Sequence, residues 1–337
     1  WLYGPRFDLC LILGVLVLAL VLGGVASINP VLFGWVLFFD LWLLAYPHVA
    51  STYTRVAFDR HSARKHWFLL TGLPPLVLLG TGAAAFMGGV LVLNTIYFYW
   101  QSWHYTRQSY GIARAYRRAG GRDPGGRDWL GDGILFGFPL WGVLQRASEQ
   151  SPTFYETPLW SPQVPHALVF VVGLLALLTL AAWTLRQLRV RLGPLDLGNH
   201  LGPPASTGHA LFVLSHIIIT AVSYLLIADI TRGWLFINIW HNAQYLLFVW
   251  AINARRFRDG PDPTRPFLSR LCQPSQALRY ALVCAALGIG FYWPLGELTG
   301  RGAWQVLPLV LVCHQAVNFH HYLVDAVIWR SPRPRRA

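Results

Sequence analysis

The sequence predicts an all-α integral membrane protein, a polytopic bundle of about ten transmembrane helices forming one domain over residues 1–337. Three observations predict it. Hydrophobic residues make up 55% of the chain and charged residues only 12%, a balance that belongs to polytopic membrane proteins. The apolar residues gather into runs of about 17 to 27, the length a helix needs to cross a hydrocarbon core. Lys and Arg collect between those runs, in alternate loops, as the positive-inside rule requires.

In chain order the runs cover 8–27, 31–57, 66–82, 86–113, 129–147, 164–185, 206–228, 233–254, 276–296 and 303–329. Pro74 and Pro75 are expected to kink the third, with Pro139 and Pro294 acting similarly in the fifth and ninth. The second loop holds Arg60, Arg64 and Lys65, and the fourth holds Arg114, Arg117, Arg118, Arg122 and Arg127. Arg186, Arg189 and Arg191 follow the sixth run; Arg255, Arg256, Arg258, Arg265 and Arg270 follow the eighth; Arg330, Arg333, Arg335 and Arg336 follow the last. The loops between these, such as 27–30, 149–157 and 229–231, are short or acidic, so both termini are expected in the cytoplasm. The stretches between runs are too short to bury a core of their own. A bacterial inner-membrane location follows, with lipids and other membrane proteins as partners.

The net charge of +13 would suggest nucleic acid in a soluble chain, but clusters confined to inter-span loops report membrane topology, and no nucleic-acid partner is expected. Cys10, Cys272, Cys284 and Cys313 have no paired spacing and read as small core residues. No cleavable signal peptide is evident.

Chemistry concentrates in the last run. His314, Asn318, His320, His321 and Asp325 lie inside it, where polar groups are costly unless partnered. Positions three, four or seven apart share a helix face, so His314, Asn318, His321 and Asp325 form one stripe. His48, His104, His216 and His241 sit in other runs, at depths from mid-membrane to the cytoplasmic half. Clustered intramembrane imidazoles point to a metal held by a subset of His48, His104, His216, His241, His314, His320 and His321, with Asp325 as ligand or as orienter of an imidazole. Tyr105, Arg107, Gln108, Asn242, Gln244, Tyr245 and Asn318 are placed to support those ligands or to contact a substrate. His61, His66, His166, His200 and His209 fall at run ends or in loops and are read as interfacial. No catalytic residue is singled out.

Imidazole suits iron, copper and zinc, and the few acids exclude a calcium or magnesium cage. Non-haem iron is the first choice. Haem, copper or a chlorophyll-type pigment are the alternatives, in which the chain would be a binding or structural subunit of a larger complex. Aromatic residues around His104 and His241 suit a flat or polyene-like lipophilic small molecule.

Pro47-His48, His104, His241 on a run ending in Phe248–Trp250, and His320-x4-Asp325 followed by Arg330 resemble the bacterial membrane carotene-cleaving dioxygenases of the Brp/Blh family. The likeness covers four patches. It departs from that family in having Thr52 where an acid is expected after the early Pro-His, and in a longer chain. The resemblance implies a membrane-bound, histidine-ligated non-haem iron oxygenase acting on a lipophilic, isoprenoid or carotenoid substrate.

Overall fold

A computed structural model describes residues 1–121, 128–149, 152–192, 205–300 and 309–329. Arg122, Arg127, His200, Arg330, Arg333, Arg335, Arg336 and the start of the last run, 303–308, lie outside the described residues. The described chain is almost wholly helical: α1 Pro5–Ala26, α2 Pro30–Val56, α3 Leu73–Ala119, α4 Trp129–Ala147, α5 His166–Leu192, α6 Thr207–Leu226, α7 Ile230–Arg256, α8 Ala277–Gly300 and α9 Leu309–Ile328. A two-residue hairpin, Thr153–Phe154 against Thr157–Pro158, joins α4 to α5.

Among the described residues, six helices are long and apolar enough to cross a membrane: α1, α2, α3, α5, α6 and the Pro274–Glu297 segment that contains most of α8. Their outer residues are large and apolar; Phe170, Leu175 and Leu178 of α5 are exposed, as lipid-facing side chains are. The runs at 129–147 and 233–254 and the described part of the last run also form helices, but α4, α7 and α9 fall outside the six. In α7 and α9 the reason is chemical, because Asn238, His241, Asn242 and Gln244, and then His314, Gln315, Asn318, His320, His321 and Asp325, dilute the apolar residues.

Two sequence expectations change. Pro74 and Pro75 do not kink a span, since they occupy the first turn of α3, where a missing N–H removes no helical hydrogen bond. The break between the third and fourth runs lies instead at Gly89, whose φ of 61° belongs to the left-handed region that glycine adopts without a Cβ penalty.

By its contacts the chain divides into two compact units, each assembled from two separated stretches. The first comprises Trp1–Leu37 and Ser102–Gln244. Ile134 and Phe138 of α4, Ala176 and Trp183 of α5, and Val213 of α6 form its apolar core. Buried Asp8 closes the N-terminal segment, accepting from the Leu2 amide at 2.7 Å and the Tyr116 hydroxyl at 3.2 Å. Arg146 caps the end of α6: Nε donates to the Tyr224 carbonyl at 2.7 Å, Nη2 to Ile227 at 2.9 Å and Nη1 to Ala228 at 3.1 Å, while Glu149 neutralises its charge. These are carbonyls that a helix end leaves without an internal partner. Arg186 makes a two-pronged pair with Asp128, at 2.7 and 3.1 Å, and Asp128 in turn caps α4 through the Gly131 amide.

The second unit comprises Phe38–Gln101 and Tyr245–Ala337. Here α8 crosses α2 closely at Gly288, where an added Cβ would meet the Tyr46 backbone at 3.0 Å. Tyr46 and Tyr292 stack at 3.8 Å between ring centroids, and Ala85, Leu93 and Val312 pack α3 on α9. Below α2, Asp59 caps the short helix Arg60–Lys65 and accepts from Arg256 and Arg265.

Candidate metal centre

The second unit brings the C-terminal part of α2 against α9, and their buried polar residues meet. His48 and Thr52 lie one turn apart on α2, as do His321 and Asp325 on α9, so each pair shares a helix face. His48 Nε2 and His321 Nε2 are 2.7 Å apart. Asp325 Oδ2 lies 3.8 Å from the same His321 nitrogen, and all three side chains are buried.

The carboxylate and the His321 ring are held by hydroxyl groups. Asp325 Oδ1 accepts from the Tyr245 hydroxyl at 2.6 Å and from Thr52 Oγ1 at 3.1 Å. Thr52 Oγ1 also lies 2.8 Å from the Tyr245 hydroxyl and 3.1 Å from His321 Nδ1; with its single proton given to the carboxylate or to Tyr245, its oxygen is free to accept from a His321 protonated at Nδ1. In that tautomer the lone pair of His321 is on Nε2, facing His48. Trp329 Nε1 donates to the Tyr245 oxygen at 3.0 Å, and the Arg55 guanidinium lies 4.0 Å from the Trp329 ring. Thr52 of α2 therefore touches both His321 and Asp325 of α9.

Two imidazole nitrogens in contact, with a carboxylate beside one of them, are donor types that suit a transition metal, and the two nitrogens are near enough to share one ion. Two nitrogens each about 2.1 Å from one ion stand about 3.0 to 3.4 Å apart, so the His48–His321 gap would have to open by less than about 1 Å.

The other expected ligands have different surroundings. His320 adjoins His321 in sequence but donates from Nε2 to the Leu69 carbonyl at 2.7 Å and accepts at Nδ1 from Tyr53 at 2.6 Å. Both ring nitrogens are engaged, so in this arrangement it offers no lone pair to an ion. His314 packs edge-on to Tyr46, and its Nδ1 lies 3.3 Å from Asn318 on the same helix. Asn318 thus supports His314 rather than His321.

In the first unit, His104 of α3 and His241 of α7 face each other with ring centroids 5.0 Å apart, both buried. The Tyr105 ring lies 4.2 Å from His241 and its hydroxyl donates to Asn238 at 2.5 Å. Gln108 donates to the His241 carbonyl at 3.2 Å, a bond to main chain rather than to an imidazole. Asn242 and Gln244 are buried as expected. Arg107 is not directed inward: it is exposed, its guanidinium over the rings of Trp103 and Tyr110. His216 lies 3.2 Å from the Leu135 carbonyl through Nε2, which ties α6 to α4. His209, expected at an interface, is buried beside the Asp128–Arg186 pair.

Nothing in the sequence singles out Tyr53, Arg55 or Trp329. Thr52 had the one usable signal, its position one turn after His48. Searches against protein-family models, curated proteins and solved structures found no match to this chain.

Proposed function

We propose that this chain is an integral membrane metalloprotein, a non-haem iron oxygenase acting on a lipophilic, isoprenoid-type substrate. The observation that carries the reading is the approach of two groups to one nitrogen: His48 Nε2 lies 2.7 Å and Asp325 Oδ2 3.8 Å from His321 Nε2, and Thr52 is placed to bond the other nitrogen of that ring. Iron held by imidazole and carboxylate supplies the one-electron chemistry that reaction with dioxygen requires. The protein's own part is to keep His321 Nε2 deprotonated, to hold Asp325 by two hydroxyl donors, and to bury the group away from water. The helical membrane character supports a substrate that arrives through the bilayer. The likeness to the Brp/Blh dioxygenases supports the same choice of metal and substrate class. The reading includes about ten spans, cytoplasmic termini and a bacterial inner-membrane location, on the alternation of basic loops.

A second reading has its own support. The His48–His321 distance is that of a direct hydrogen bond, and the chain His48, His321, Thr52, Asp325 and Tyr245 is complete as an interhelical network without an ion. Elemental analysis and an absorption spectrum of detergent-purified protein separate the two. Stoichiometric iron without a Soret or pigment band is expected, and His321→Ala should reduce iron to background while the protein still inserts. Metal-free wild-type protein of full stability would overturn the proposal. Alanine variants of His104 and His241 ask the same question of the pair in the first unit.

A further inference from the structure

The arginines that follow α7 are mostly committed within the protein. Arg256 and Arg265 both reach Asp59 Oδ2, at 3.0 and 2.6 Å. Arg265 also pairs with Asp262 at 2.8 Å, and Arg258 with Asp259 at 3.4 Å. Arg270, in the short helix Pro266–Leu271, and Arg279, in the first turn of α8, differ from these. Both are exposed, and among the described residues neither has a carboxylate partner. They stand together with Pro266, Phe267 and Leu271 around an open groove of about 390 Å³.

The groove's position gives the two cations a meaning. The membrane-competent segment Pro274–Glu297 starts here, and Leu278 and Leu282, flanking Arg279 on α8, are 74% and 61% exposed. Leucines so exposed at the start of a span face acyl chains, which puts the neighbouring guanidiniums in the phosphate layer. Two uncompensated cations in one groove favour a ligand of net negative charge, and the zwitterionic headgroup of phosphatidylcholine would bring a cation of its own. The remaining lining is apolar, as a site for glycerol and the upper acyl chain must be.

We propose that this groove binds an anionic phospholipid, with Arg270 and Arg279 holding the headgroup phosphate and Phe267 and Leu271 packing on the chain below it. The inference rests on the membrane reading of the fold and is independent of the metal. Guanidinium is preferred to a bare positive patch here because it can grip phosphate oxygens two at a time.

Native mass spectrometry of the full chain, released from detergent with equal phosphatidylglycerol and phosphatidylcholine, tests it. The wild type should retain phosphatidylglycerol preferentially. Arg270→Gln and Arg279→Gln should each lower that retention about fivefold. The double variant should lose the preference, and Arg258→Gln, altered in the same loop but outside the groove, should keep it. Equal retention of the two lipids by the wild type, or a preference that survives in the double variant, would overturn the assignment. Displacement of the lipid by millimolar inorganic phosphate would mark a free-anion site and overturn it too. If the double variant did not insert, the wild-type lipid competition and the phosphate arm would still decide. Iron content measured on the same samples reads the metal proposal separately.

Discussion

In the unit formed by Trp1–Leu37 and Ser102–Gln244, buried charge closes one structural gap at a time. Arg146 takes the carbonyls at the end of α6, Arg186 holds the carboxylate that caps α4, and Asp8 gathers the amides of the N-terminal segment. In the unit formed by Phe38–Gln101 and Tyr245–Ala337, buried polar groups share partners instead: Asp325 Oδ1 serves two hydroxyls, and Thr52 serves a carboxylate and an imidazole. A polar group that closes a helix end is explained by the fold alone. A chain that strings two imidazoles, a hydroxyl and a carboxylate together uses more buried polarity than joining two helices needs, since apolar packing would do that at lower desolvation cost.

The largest effect should come from the first kind. Arg146→Ala strands the Tyr224, Ile227 and Ala228 carbonyls and leaves Glu149 without its partner, a loss of about 3–5 kcal/mol. The thermal midpoint in detergent should fall by about 4–7 °C. Metal content of the protein that remains folded should be unchanged. A midpoint close to wild type would mean that water caps α6 adequately, and the contrast between the units would weaken.

Thr52→Val should act the other way. The methyl keeps the volume, while His321 Nδ1–H loses its acceptor and Asp325 one of its two hydroxyl donors. Metal affinity should drop about 10- to 100-fold with little change in midpoint, and Thr52→Ser should restore most of it. A titration showing equal affinity for wild type and Thr52→Val would detach Thr52 from the site, and with it the tautomer argument.

The helices and the last-run cluster were legible because hydrophobic length and intramembrane polarity are written locally. His321 and Asp325 share a face by spacing alone, and Tyr245 stands out in the sequence by its place near His241. What sequence could not show was the partner across a helix gap. His320 and His321 are chemically identical and adjacent, yet about a hundred degrees of helix rotation sends one to His48 and the other to Leu69. The Leu69 carbonyl is able to accept because it lies in the last turn of the short helix Trp67–Thr71, where carbonyls lack intrahelical donors. The direction of Arg107 is hidden from sequence for a related reason: a long side chain one turn from His104 is able to turn outward onto Trp103 and Tyr110. The number of spans is blurred by the site itself, because the residues that give α7 and α9 their chemistry lower their hydropathy.

The smallest effect sharpens the same contrast outside the apolar spans, at Asp59. Burial pulls the carboxyl pKa upward, but hydrogen bonds from Arg256 and Arg265, with the Ser62 amide, outweigh it and hold the value at about 2, below the ordinary 3.8. The folded value lies below the unfolded one, so the contribution to stability is complete above about pH 4 and is lost as pH falls through about 2. The pair is partly screened by solvent, which limits that contribution to about 1 kcal/mol. Asp59→Asn retains an oxygen able to accept from the His61 and Ser62 amides, at 3.0 and 3.3 Å in the parent, and so removes the charge while sparing the helix cap. The variant should be less stable than wild type at pH 7, and the difference should shrink toward zero by about pH 2 in thermal midpoints taken across that range. A deficit that stays constant with pH would mean that the arginines do not hold Asp59 ionised, and Asp59 would then belong with the residues that simply close a helix end.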